Sequence, residues 1–220
     1  YMGSKYYETP NIDKLSKSGI TFLNGYASSA NCAPSRATMM SGKYHPSHGI
    51  YTVSPSDRGL DNTRKIIPVK NTENLSLDFF TIAEMLKSKG YVNAHVGKWH
   101  LGEKGHYPKD QGFDVNIGGW ESGGPRAGYF SPYSNPNLEN GPEGEYLTDR
   151  LTEEAISFID DNKDSKFFLH LAYYSVHTPI QSKKEYSNYF KNKPSDKNHN
   201  RADYAGMIRS LDENVGKVLS

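Results

Sequence analysis

Apolar residues recur along this chain at two spacings, in blocks that alternate. Residues 9–18 carry Ile12 and Leu15 on one helical face, with Thr9 placed to cap the start, Pro10 in the first turn and Gly19 as a stop. Ile20, Phe22 and their neighbours read as a short strand. A helix is predicted over Thr81–Lys89, where Ile82, Met85 and Leu86 repeat at three and four and Gly90 ends the run. The spacing then changes to two: Val92, Ala94 and Val96 alternate along a strand from Tyr91 to Val96. Residues 147–162 return to helical spacing through Leu147, Leu151, Ala155, Phe158 and Ile159. Phe167–Tyr173 is a dense apolar run, read as a buried strand. A last amphipathic helix covers 202–219, with Tyr204, Ile208, Leu211, Val215, Val218 and Leu219 inward.

Between these blocks the pattern is lost. Residues 51–75 are broken by Pro55, Gly59 and Pro68. Residues 103–145 are rich in Gly, Pro, Asn and Ser and read as long loops or a lid. Residues 182–200 are polar and read as a surface excursion. The alternation of helix and strand predicts an α/β fold with a mostly parallel sheet flanked by helices. Ligands of such sheets bind beyond the carboxyl ends of the strands. Lys98 and His100 follow one strand, His177 follows another, and a small polar loop, Ala27–Asn31, delivers Cys32 to a helix. These side chains are expected to meet at one rim.

Composition narrows the picture. The 220 residues suit one domain, and a formal charge of +1 gives no electrostatic case for nucleic acid. No run is long and apolar enough to cross a membrane, and no signal peptide is visible. The single cysteine forbids an internal disulfide. The tyrosines of 120–146, with Trp99 and Trp120, could stack on a sugar, but packing explains them equally well.

That cysteine lies in Asn31-Cys32-Ala33-Pro34-Ser35-Arg36-Ala37-Thr38-Met39-Met40-Ser41-Gly42. Pro34 suits a first helical turn and Gly42 a helix end. A cysteine at a helix N-terminus sits in a positive field that favours an anion. By default a lone cysteine is a small buried apolar group. Likewise Lys98 alone reads as a solvated loop lysine, His100 as a satisfied polar residue, Trp99 as core and His177 as a turn residue. Taken together, Arg36, Lys98, His100 and His177 offer positive charge and donors to one tetrahedral oxyanion. The two histidines can also move protons near neutral pH.

The Cys32-x-Pro34-Ser35-Arg36 motif resembles the signature of the sulfatases. Thr9-Pro10-Asn11-Ile12-Asp13-Lys14-Leu15, Gly42-Lys43-Tyr44, Gly97-Lys98-Trp99-His100-Leu101-Gly102 and Val176-His177-Thr178-Pro179 resemble the same family. Gly112-Phe113-Asp114 and Leu211-Asp212-Glu213-Asn214-Val215-Gly216 also match family segments, read as structural. The resemblance implies an alkaline-phosphatase-like α/β domain, with 1–220 as the N-terminal catalytic domain truncated at both ends. It implies that a maturation enzyme oxidises Cys32 to formylglycine, whose hydrate ligates one divalent cation, usually calcium, and attacks sulfur. Arg36 would hold the diol and Lys98 would bridge it to the sulfate. His177 would neutralise the leaving oxygen, and His100 would assist proton removal, two roles that could be exchanged. Both histidines would contact the substrate. Sulfated carbohydrates and a periplasmic or secreted setting are further implications.

The family's paired aspartate would precede residue 1, and its Asp-Asn pair and a further lysine would follow residue 220. Cys32, as formylglycine, is therefore the only metal ligand the resemblance assigns within these residues. Two alternatives come from the superfamily: a formylglycine-dependent phosphonate monoester or phosphodiester hydrolase, and a non-catalytic sulfated-glycan-binding relative. A cysteine protease using Cys32 and His177 leaves the Pro34 and Arg36 spacing without a role. With so few oxygen ligands a hard cation binds weakly. Residues 1–220 assayed alone are therefore expected to show no calcium-dependent turnover of an aryl sulfate; measurable turnover would contradict this.

Overall fold

The computed structural model describes residues 3–53, 55–57, 59–196 and 198–220. Tyr1 and Met2 lie outside the described residues. So do Ser54 and Arg58 of the irregular stretch and Lys197 of the polar one. The chain forms two units, one of residues 26–123 and 162–172, the other of 1–25, 124–161 and 173–220.

The first unit holds the sheet. Strands β1 (Val92–Gly97), β2 (Val115–Ile117) and β3 (Phe167–Ala172) lie in the order β2-β1-β3, all parallel. The parallel α/β class read from the sequence is thus the observed one. Register is set by pairs such as His95 with Asn116 and His95 with His170. The alternation read in β1 understates its burial. Asn93 and His95 are as buried as Ala94 and Val96, so β1, the central strand, is covered on both faces. β3, expected to be buried, lies at an edge of the described sheet, and only Ala172 of its residues is buried. β2 falls inside the stretch read as loops; three residues carry no periodic signal.

Helices α2 (Cys32–Ser41), α3 (His45–His48) and α4 (Ile82–Lys87) belong to the same unit. The α4 start follows its sequence: Thr81 accepts from the Glu84 N–H, and Glu84 accepts from the Thr81 N–H at 2.7 Å. At the end of α2, Gly42 takes φ 66° and its N–H reaches the Thr38 carbonyl, a left-handed cap that glycine adopts freely. Ala37, Met40, Leu75, Trp99, Leu101 and Phe113 form the core under these helices.

The second unit packs α1 (Pro10–Ser18) against α7 (Ala202–Val218), with α5 (Leu147–Asn162, to Asp161 in this unit) and α6 (Lys184–Asn192). Here several expectations are corrected. Thr9 does not cap α1; its hydroxyl donates to Asp13 instead. The free N–H groups of the first turn are taken by a remote carboxylate. Asp212, 1% exposed on α7, accepts from the Asn11 N–H at 3.1 Å, the Asn11 amide at 2.9 Å and the Ile12 N–H at 2.8 Å. The buried face of α7 is accordingly Ala205, Gly206, Met207, Ser210, Asp212 and Asn214, not the apolar stripe read above. No residue of α1 is buried, and Leu15 is exposed. Ile20 and Phe22 form no strand and are 84% and 81% exposed; among the described residues nothing pairs with them. The polar 182–200 stretch contains α6, anchored by Phe190 against Tyr6. A strand needs a ladder partner and a helix needs only its own backbone, which is why apolar content misjudged the first, whereas the polar stretch keeps most of its described residues at the surface and still forms α6.

Asp212→Ala strips three hydrogen bonds from the α1 N-terminus. It is expected to destabilise the protein by about 1–3 kcal/mol, read from the denaturant midpoint, with Asp212→Asn losing less. An alanine variant as stable as the wild type would contradict the capping role.

Candidate functional site

The site in the first unit is built from two chain segments. The first is the start of α2. Ser35, inside the cysteine motif, clamps the loop that delivers Cys32: its hydroxyl donates to the Ser29 carbonyl at 2.7 Å and accepts from the Ser29 N–H at 3.2 Å. Asn31 does not cap α2 with its side chain; it bonds Thr52 instead. Cys32 therefore stands in the first helical turn, where N–H groups lack intrahelical partners and the field is positive. Arg36, four residues on, shares its helical face.

The second segment is the exit from β1. Gly97 has φ 105° and His100 φ 62°, so the chain turns out of the sheet through two left-handed residues. Trp99 pins this turn, fully buried, with its indole N–H donating to the His106 carbonyl at 2.8 Å. Its neighbours Lys98 and His100 then face Cys32. His100 Nδ1 lies 3.3 Å from the Cys32 sulfur. A Cβ on Gly123 would come within 2.4 Å of the His100 ring, so only glycine leaves that ring its place. Lys98 is 4% exposed, and burial pushes its ammonium below its usual value. The Cys32 sulfur, by charge and hydrogen bond, opposes that shift, and the Arg36 guanidinium adds to it. Arg36 itself donates to the Lys98 carbonyl at 2.6 Å.

Thus Cys32, Arg36, Lys98 and His100 come together, as the strand-end argument expects. His177 belongs to the other unit. There its backbone N–H meets the Tyr129 hydroxyl at 3.1 Å, and its ring Nδ1–H donates to the Thr178 carbonyl at 2.7 Å, with the side chain exposed. Tyr129 is buried and donates to the Tyr174 and His177 carbonyls; burial raises its phenol to about 12. Beside His100 opens a cleft of 260 Å³ lined by Ala33, Thr52, Glu73, Asn74, Glu103 and Glu121.

Two further residues escaped the sequence reading. His95 on β1 and His170 on β3 are register partners, with Nδ1 atoms 3.0 Å apart, and His95 Nε2 lies 3.1 Å from the Gly97 carbonyl. Burial is the main cause that holds His95 well below the usual histidine value and His170 at about 4, and the Arg36 charge pushes both the same way. The signal was a histidine in each apolar strand, but their pairing depends on register.

The chemistry of this arrangement is that of an anion site. Two buried or half-buried cations and a histidine surround the side chain at a helix N-terminus. Among the described residues no group of three or more His, Cys, Asp or Glu would hold a divalent cation.

An α/β protein with a cysteine, two cations and a histidine gathered where a central strand leaves its sheet is the class that fold and site define. The sulfatase family model matches residues 1–220, and the chain belongs to the sulfatase family. It is 31% identical to N-acetylgalactosamine-6-sulfatase from Mus musculus, covering 99% of this chain and 43% of that protein. It is also 31% identical to a sulfatase from Formosa agariphila, covering 99% of this chain and 48% of that protein. The crystal structure of Ps i-CgsB in complex with k-i-k-neocarrahexaose aligns with a TM-score of 0.77 and 32% identity, over 99% of this chain and 50% of that one. The chain thus spans about half the length of the relatives it matches, or less.

The neutral histidine pair carries a pH signature. Unfolded histidines take up protons below about pH 6.5, whereas folded His170 does so only near 4. The pair's contribution is present above 6.5 and is lost as pH falls towards 4. Denaturation midpoints are expected to drop across that window, with a flatter slope in His170→Asn. Equal slopes would contradict the assignment.

Proposed function

We propose that the protein is a sulfuric ester hydrolase acting on sulfated carbohydrates, as the N-terminal catalytic part of a longer sulfatase, with Cys32 as the precursor of formylglycine. The observation that carries this reading is the 3.3 Å approach of His100 Nδ1 to the Cys32 side chain at the head of α2, beside buried Lys98. Family membership and the names of the relatives support it. The sugar is argued from two of them, one named for N-acetylgalactosamine 6-sulfate and one crystallised with a neocarrahexaose.

Formylglycine supplies, as its hydrate, an oxygen nucleophile at position 32. Lys98 holds a sulfuryl oxygen with its ammonium, in surroundings dry enough to make that contact strong. Arg36, bonded to the Lys98 carbonyl, keeps α2 and the β1 exit in register and adds positive charge at residue 32. His100 takes or returns a proton at that side chain through Nδ1. His177 is assigned to the leaving oxygen on the family resemblance, and its role could be exchanged with that of His100. Calcium is implied by the family resemblance alone. A maturation enzyme and a periplasmic or secreted setting belong to the same reading. No helix among the described residues is long and apolar enough to cross a membrane.

The test uses the full-length protein made in a host with a maturation enzyme. The peptide containing residue 32 is expected to show an aldehyde in place of the thiol, and activity on an aryl sulfate should resist thiol alkylation. Cys32→Ala should abolish turnover, and Lys98→Ala or His100→Ala should lower kcat by about 10²–10³. An intact thiol in an enzyme that alkylation inactivates would refute the proposal. Faster hydrolysis of a phosphate diester or phosphonate monoester than of any sulfate ester would move the assignment to those substrates.

A further inference from the structure

We propose that His95 and His170 act as a positioning pair for the sulfate-site residues, fixing the turn from which Lys98 and His100 project through opposite, uncharged tautomers. The inference rests on the sulfatase reading above.

The tautomers follow from the partners. A carbonyl can only accept, so the His95 Nε2 facing the Gly97 carbonyl at 3.1 Å carries the proton. A neutral His95 then has a bare Nδ1. That nitrogen faces His170 Nδ1 at 3.0 Å, so His170 Nδ1–H donates to it. The proton pattern runs one way, from His170 through His95 to the Gly97 carbonyl. A proton added to His95 Nδ1 would set two N–H groups against each other. The low proton affinity of both rings agrees with this arrangement.

The pair acts on the chain where it matters for the site. Pairing of β1 with β2 ends at Val96 and Ile117. Beyond it, two successive carbonyls are bonded by side chains: Gly97 by His95, and Lys98 by Arg36 at 2.6 Å. These two bonds flank the peptide that orients the Lys98 side chain. The rings have no freedom to shift. His95 stands edge-on to Trp99 at 5.2 Å, and His170 stacks on Phe113 at 6.3 Å. A Cβ at residue 119 would come within 2.7 Å of the His95 ring, so Gly119 keeps that side closed. Neither ring touches the Cys32 side chain in the bonds described, so their role is to position and not to react.

The experiment compares His170→Phe and His170→Asn in the full-length, matured enzyme with an aryl sulfate. Phenylalanine fills the ring's place and removes the donor, whereas the asparagine amide can still donate from near the Nδ1 position. His170→Phe is expected to lower kcat about tenfold or more with KM within about threefold, because a misplaced Lys98 and His100 fail in the transition state. His170→Asn is expected to recover most of that loss. A purely structural role would lower the yield or melting temperature of both variants and leave kcat of the folded fraction unchanged, which would overturn the proposal. So would an asparagine variant no better than phenylalanine. Nitrogen-15 NMR of labelled histidines in the wild type gives a reading that needs no variant. At pH 7 it should show Nε2–H on His95 and Nδ1–H on His170, and an imidazolium at either would refute the pair. A wild type without turnover on any sulfate ester overturns the sulfatase reading and this proposal with it. An active wild type matched by His170→Phe overturns this proposal alone.

Discussion

The exit of β1 from the sheet is the constraint on which the sheet-bearing unit depends. A central strand must stop, turn and present two polar side chains while its backbone groups keep partners. The chain does this with left-handed residues at Gly97 and His100, and with Trp99 driven into the core between Lys98 and His100. The carbonyls of Gly97 and Lys98 are met by His95 and Arg36. Because Arg36 springs from the same helix as Cys32, one hydrogen bond ties the two halves of the site together. Unpaired backbone carbonyls here would cost free energy and also let the site drift.

The same logic serves the helical unit by other means. The first turn of α1 draws its partners from Asp212 on α7, far away in sequence. Gly216 lets the two helices come close enough, since a Cβ there would fall 2.5 Å from Asn11. A buried carboxylate is tolerable because it meets three donors at once. Thr9-Pro10-Asn11-Ile12 and Leu211-Asp212-Glu213-Asn214 thus belong to one structural feature, though each looks like a separate signature in the sequence. In both units a polar side chain buried for its hydrogen bonds matters as much as the apolar packing around it.

Much of the site was legible because its residues are local in sequence. Cys32 and Arg36 share a helical face by spacing alone, and Lys98 and His100 follow a strand whose alternation is plain. The helices α2, α4, α5 and α7 were legible for the same reason: capping residues and three-to-four spacing are local signals. Elements misread from the sequence depend on partners elsewhere. Ile20 and Phe22 look like a strand but have no ladder among the described residues, while Val115–Ile117 pairs with β1 although three residues give no pattern. The inward face of α7 was misassigned because Asp212 and Asn214 are buried for hydrogen bonds that hydrophobic periodicity ignores.

The sequence by itself determined the α/β class, the helix that carries Cys32, the family to which its motifs point and the side chains able to surround an oxyanion. These follow from backbone periodicity and from residue types at short spacing. Only the tertiary structure decided that His100 and Lys98 reach Cys32, that His95 opposes His170 across the sheet, and that Asp212 replaces Thr9 as the cap of α1. Each of these depends on strand register or helix packing. Both are fixed by contacts between residues tens to hundreds of positions apart, which no local spacing encodes.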